Sequence, residues 1–237
     1  MTKKINTKLN KLIKYYSLIN HNLIYDNFSI NRFKNTSFNV CGDKASLLLK
    51  LKKNINKIKN CELKKNALNQ VFADGNPDAK IMIVGEGPGA NEDKEGIPFV
   101  GRAGQLLDKM LESINLDRKN VYITNVVNYR PPENRRPSDI EIKKYLPYLI
   151  KHIEIINPKI ILLLGSTALN AIIGDEIVIS KARGKWIEKK IGTCSYSVIA
   201  SFHPAFLMRQ PAQKAMSWID LKMIKKKIKD LKIKIEK

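Results

Sequence analysis

The spacing of apolar residues changes character near Val71. Upstream it is helical: Leu9, Leu12, Ile13 and Tyr16 fall on one face of "KLNKLIKYYSLI", and Leu48, Leu51, Ile55 and Ile58 form a stripe along "KASLLLKLKKNINKIKN". The segment between them, "NHNLIYDNFSINRFKNTSFNVCGD", is rich in Asn, lacks a period and reads as loop. Such stripes predict packing against a neighbour rather than a binding box. Residues 1–66 are therefore expected to form a helical, partly flexible N-terminal extension.

From Val71 onward, short apolar runs alternate with amphipathic ones. "IMIVG", "VYITNVV", "KIILLLG" and "SYSVIASFHP" read as four strands. Between the first two, "RAGQLLDKMLESI" turns Leu106, Leu107, Met110, Leu111 and Ile114 to one face. After the second, the Pro- and Arg-rich loop "NYRPPENRRPSD" leads to Ser138, an N-cap with Glu141 three positions on as its capping-box partner. That cap starts the helix "IEIKKYLPYLIKHIEII", and "STALNAII" and a lysine-rich C-terminal segment supply two more helices. The acidic run "NEDKEG" carries no helical stripe. Strands alternating with helices predict an α/β protein whose mostly parallel sheet has helices on both sides.

Charge narrows the class of partner. The 237 residues carry 43 Lys and Arg against 22 Asp and Glu, a net charge of +21, which favours a polyanion, most simply nucleic acid. The competing reading is lysine enrichment on solvated faces, in a chain also heavy in Asn and Ile. No apolar run reaches the roughly 20 residues of a membrane span, and the N-terminus lacks a signal-peptide core. Three scattered cysteines, Cys41, Cys61 and Cys194, fit a reducing compartment and make no metal site by spacing. A cytoplasmic protein is expected.

In open parallel sheets, ligands bind beyond the carboxyl ends of the strands. After the first strand comes "GEGPGA", which fits G-x-G-x-x-A, the phosphate-cradling turn of dinucleotide-binding folds, though with a proline inside it. Near the end of the second strand lies Asn125; after the third comes Gly165-Ser166-Thr167, and after the fourth His203-Pro204. A carboxylate, a carboxamide, a small-residue turn and an imidazole thus converge on one edge. Each also has a plainer reading: a satisfied strand-end amide, a structural histidine, ordinary loop acids, a core Phe99. A dinucleotide enzyme would also need an acidic ribose-binding residue after the second strand, where the chain instead offers Asn125 and a basic loop.

Taken together, "VGEGPGANEDKEGIPFVGRAGQLLDKML", "VYITNVVNYRPPENRRPSDIEI", "LLLGSTAL" and "SFHPAFLMR" resemble, in order and approximate spacing, the family 4 uracil-DNA glycosylases, the bacterial and archaeal iron–sulfur group. The resemblance covers Val71 to about Leu221 and implies an α/β/α sandwich over residues 67–237. It implies a monomeric base-excision repair enzyme that hydrolyses the N-glycosidic bond of uracil in DNA after flipping the base into a pocket. Carried onto this chain, the carboxylates are Glu86 and Glu92, the stacking aromatic Phe99, the uracil-reading carboxamide Asn125 and the histidine of the last motif His203. Glu92 is favoured over Glu86 to orient the attacking water, while Glu92 or the Glu86–Gly87 backbone is the candidate wall against thymine's methyl. Asn134, Arg130, Arg135 and Arg136 would meet DNA, and Phe206 and Leu207 are candidate wedges for the vacated stack, with core packing as the alternative.

The chain departs from the family in one place. A family 4Fe–4S cluster needs four cysteines. Cys61 occupies one of those positions, whereas Ile58, Tyr129 and Tyr145 stand at the other three. No cluster and no metal are expected. A non-catalytic DNA-binding or replication-associated module on the same fold is the competing function.

Overall fold

The computed structural model describes residues 43–174 and 177–235; the expected helix around Leu9 and the cysteine at position 41 lie outside them. Helices α1 (Lys44–Asn56) and α2 (Glu62–Asn66) precede the sheet. The rest runs β1 (Asp74–Gly75), β2 (Ile81–Gly85), α3 (Ala90–Glu95), α4 (Arg102–Glu112), β3 (Tyr122–Asn125), α5 (Asp139–Ile156), β4 (Ile160–Leu164) and α6 (Ser166–Ile172). Then follow α7 (Ile179–Ala182), β5 (Trp186–Ile191), β6 (Cys194–Ser201), α8 (Pro204–Arg209) and α9 (Lys214–Asp230).

The six strands form one sheet in the order β1-β3-β2-β4-β6-β5. The four central strands are parallel, and the edge strands β1 and β5 run antiparallel to their neighbours. Because successive side chains point to opposite faces, each buried central strand feeds two cores. Met82, Val84, Ile161 and Leu163 enter one with α1, α2, α5 and α6. Ile81, Ile83, Ile160, Leu162 and Leu164 enter the other with α4, α8 and α9. The result is the α/β/α sandwich.

Three local outcomes differ from the sequence pattern or extend it. "ANEDKE" is a short helix after all, started by Gly89 and the Glu92 side chain, and closed by Gly96 in the left-handed region at φ 73°. β5, "WIEKKI", forms the fifth long strand by a hairpin with β6. Leu48, Leu51, Ile55, Cys61 and Leu63 are buried in the core that α5 shares, so α1 and α2 pack with the domain rather than apart from it. The Ser138 cap forms with both of its bonds: Ser138 Oγ accepts from the Glu141 N–H at 3.3 Å, and the Glu141 carboxylate accepts from the Ser138 N–H at 2.7 Å.

Candidate active site

The parallel strands end together, and the residues that follow them line a cavity of about 170 Å³. Glu86 and Gly87 come from the loop after β2, Glu92 from α3 and Phe99 from the turn before α4. Asn125 ends β3, Asn134 and Arg135 belong to the Pro/Arg loop, and His203 stands at the N-cap of α8. Arg130 and Arg136 sit on that same loop but not on the cavity lining.

Gly85 makes the floor possible. A Cβ there would collide with both Asn125 Oδ1 and the Phe99 ring, so the first glycine of "GEGPGA" makes room for two neighbouring side chains. Asn125 is 3% exposed, and its Oδ1 has no hydrogen-bond partner among the described residues. Leaving a buried acceptor unpaired costs about 1–3 kcal/mol, a cost that a donor reaching this oxygen would recover.

Phe99 is buried, with its ring centroid 5.6 Å from that of His203. Its backbone lies in the left-handed region at φ 56°, strained for a bulky side chain. Arg118 holds it there. One guanidinium nitrogen donates to Pro98 O at 3.2 Å and another to Phe99 O, while the group also pairs with Asp74 at 2.7 Å and Asp108 at 2.9 Å. Gly104 lets α4 come close, since a Cβ on it would overlap the Phe99 carbonyl. No sequence signal marked Arg118, because its partners are spread over the chain.

His203 Nδ1 accepts a hydrogen bond from the Ala205 N–H at 3.2 Å. In the neutral ring the proton is therefore on Nε2, leaving that nitrogen a donor. Burial pushes the His203 pKa below the ordinary histidine value, with Arg209 adding to this; Glu86 and Glu92 act in the opposite direction.

The two carboxylates differ in what they do. Glu92 is tied to backbone: one oxygen accepts from Gly89 N–H at 3.1 Å and the other from Gly101 N–H at 2.8 Å. Glu86 instead accepts one hydrogen bond, from the hydroxyl of the fully buried Thr167. Thr167 was legible only as part of the small-residue turn after β4. Arg135 forms a two-bond pair with Glu141 at 2.7 and 2.8 Å, and Arg130 Nε donates to Asn134 Oδ1 at 2.8 Å. That pair holds the Glu141 carboxyl down at about 2.

Of the two candidate wedges, Leu207 is 1% exposed within the core under α4 and α9, as the core-packing alternative has it. Phe206 is half-buried, with its ring 4.9 Å from that of Phe202.

Residues 72–231 match the family model of the Uracil DNA glycosylase superfamily. The chain belongs to that superfamily. Its relatives place it among the type-4 glycosylases. It is 47% identical over 150 residues to the type-4 uracil-DNA glycosylase of Thermotoga maritima, covering 63% of this chain and 77% of that protein. Against the type-4 enzyme of Sulfurisphaera tokodaii the identity is 43% over 183 residues, 75% and 83% of the two chains. A DNA polymerase of Bacillus phage SP01 is 34% identical over 151 residues, 63% of this chain and 16% of that protein.

The type-4 glycosylases are known for an iron–sulfur cluster, which makes the four corresponding positions worth comparing. Three of them, Cys61, Tyr129 and Tyr145, meet in space here. Cys61 Sγ and Tyr145 Oη share a hydrogen bond at 3.1 Å, Tyr129 Oη donates to Asn56 Oδ1 at 2.9 Å, and Ile58 packs against the same core. Burial raises the pKa of both tyrosine hydroxyls, that of Tyr129 to about 12. One thiol, two phenols and an aliphatic side chain do not fit a cluster that takes four thiolates. Among the described residues no group of three or more His, Cys, Asp or Glu is placed to hold a metal.

Proposed function

We propose that this chain is a uracil-DNA glycosylase that flips uracil out of DNA, hydrolyses its N-glycosidic bond and leaves an abasic site. The observation that carries the reading is the cavity that buried Asn125 lines together with Phe99 and His203, its amide oxygen having no hydrogen-bond partner among the described residues. Uracil offers an N3–H donor beside a carbonyl acceptor, which matches a fixed carboxamide that accepts through Oδ1 and donates through Nδ2. Cytosine presents the reverse pattern and would leave both groups unpaired. Phe99 supplies the stacking face. Gly87 brings backbone close to the ring, and the Glu86–Gly87 segment is the wall against a C5 methyl.

Bond cleavage builds negative charge on uracil and positive charge on the sugar. A neutral His203 donating through Nε2 stabilises the first, the electrostatic term that usually dominates. Glu86 orients the attacking water and offsets the second; its free oxygen and the Thr167 anchor on the other favour it over Glu92, whose oxygens brace the loop. Asn134, Arg130, Arg135 and Arg136 grip the DNA backbone around the opening, with Phe206 at its edge. No helix among the described residues is long and apolar enough to cross a membrane, and we place the enzyme in the cytoplasm. The packing of Tyr129 and Tyr145 around Cys61 supports a fold that needs no iron–sulfur cluster.

The test is excision from a uracil-containing oligonucleotide by wild type beside Asn125→Asp and His203→Ala. Abasic product from wild type, with each variant slower by about 100-fold or more in kcat/KM, is the expected result. Equal rates from all three would remove the pocket from the reaction. Binding without product in wild type would favour the alternative, a DNA-binding module, which the match to part of a phage polymerase keeps in view.

A further inference from the structure

A second concavity, of about 390 Å³, lies at the opposite end of the sheet from the cavity that holds Asn125. Lys80 and Lys159 stand immediately before β2 and β4, Lys119 lies just before β3, and Lys232 and Lys234 come from the segment after α9. Five lysines therefore line one depression. Its carboxylate, Asp78, is engaged by Lys44 at 2.9 Å, and none of the five lysines has an ion pair among the described residues. Like charges gathered in a concave surface repel one another and focus a positive potential outward. Lysines present compact point charges, suited to phosphates met without regard to sequence.

We propose that this lysine-lined depression is a second DNA-backbone site, separate from the catalytic cavity, through which the protein holds another DNA segment. The two openings are separated by the length of the parallel strands, about 17 Å for five residues, with the packed sheet between them. One straight duplex cannot touch both edges. An occupant of the lysine site is a second duplex, or a distant part of the same molecule looped back. The phosphodiester backbone fits because binding releases condensed counterions, a gain that grows with each lysine engaged. Two sites on one protein would let it pass between DNA segments without first dissociating into solution.

The experiment compares wild type with the combined variant Lys80→Gln, Lys119→Gln, Lys159→Gln and Lys232→Gln, none of which touches the catalytic cavity. Short uracil-free duplexes of roughly one and a half helical turns are titrated at low salt, and stoichiometry is read by sedimentation. Capture of a fluorescent duplex by a bead-bound one is read in parallel. Expected are two duplexes per wild-type protein, one per variant, loss of capture in the variant, and a salt slope for the second site that falls by about 0.9 per phosphate contact removed. Excision from a short uracil oligonucleotide should stay within about twofold, which also shows that the variant is folded. One duplex per wild-type protein, or equal capture by both proteins, overturns the proposal. Displacement of the second duplex by polyglutamate at a lower charge concentration than by competitor DNA also overturns it, in favour of an acidic protein partner. Capture is read without uracil chemistry, so a wild type that bridges duplexes yet yields no abasic product would count against the glycosylase reading alone.

Discussion

Asn125 shows how a residue's chemistry was legible while its state was not. A carboxamide at the end of an apolar strand stands out in the sequence, but whether it is satisfied depends on neighbours that folding alone supplies. The structure leaves its Oδ1 unpaired, which the plainer reading of a satisfied amide did not expect. The two glutamates teach the reverse lesson: both were visible, but what each side chain bonds was not, because Glu86 meets Thr167 and Glu92 meets two backbone N–H groups. Glu86→Gln is expected to lower kcat on uracil oligonucleotide by at least about tenfold with little change in melting temperature. Glu92→Gln should do more to stability, about 1–2 kcal/mol from weakened charge-assisted bonds, and a thermal melt beside the kinetic assay separates the two.

Among elements, the four central strands and the α4 and α5 helices were readable because each is a continuous apolar run or a clear stripe. β5 was missed because its burial alternates weakly and its Glu and Lys residues look like loop; its hairpin with β6 is what makes it a strand. Helix α3 was missed for lack of an apolar face: six residues held by a cap and an acidic side chain give no period to detect. The place of α1 in the core was likewise invisible, since a stripe says that a helix packs but not where. Tyr129 ties the last residue of α1 to the domain through Asn56. Tyr129→Phe is expected to cost about 1 kcal/mol in denaturant unfolding and to raise amide exchange in α1 before any change in α4.

For the whole molecule, acid stability is set partly by a histidine far from the cavity. His152 is buried, with Nε2 2.8 Å from Tyr122 Oη and its ring stacked on Phe72 at 4.6 Å, and burial pulls its pKa from 6.5 to about 3. Between those values the unfolded chain binds a proton that the native protein refuses, so stability falls as pH falls below 6.5. Each pH unit removes up to about 1.4 kcal/mol, or about 2 kcal/mol between neutrality and pH near 5. His203 adds in the same direction. Glu141 adds a later loss, since its stabilisation is complete above about 4.5 and disappears toward 2. Denaturant titrations at the two pH values should show the drop, and His152→Gln should remove most of it.

The meeting of Cys61 with Tyr145, beside Tyr129 and Asn56, has a consequence for how the protein is made. A fold that closes around a metal cluster waits for delivery by dedicated carriers and is exposed to oxidants that strip iron. Here the corresponding corner is closed by hydrogen bonds and packing that form when the chain itself folds. Cells starved of iron should therefore yield as much active protein as replete cells, colourless and with less than stoichiometric iron. Brief peroxide treatment that bleaches a cluster should leave its excision rate unchanged.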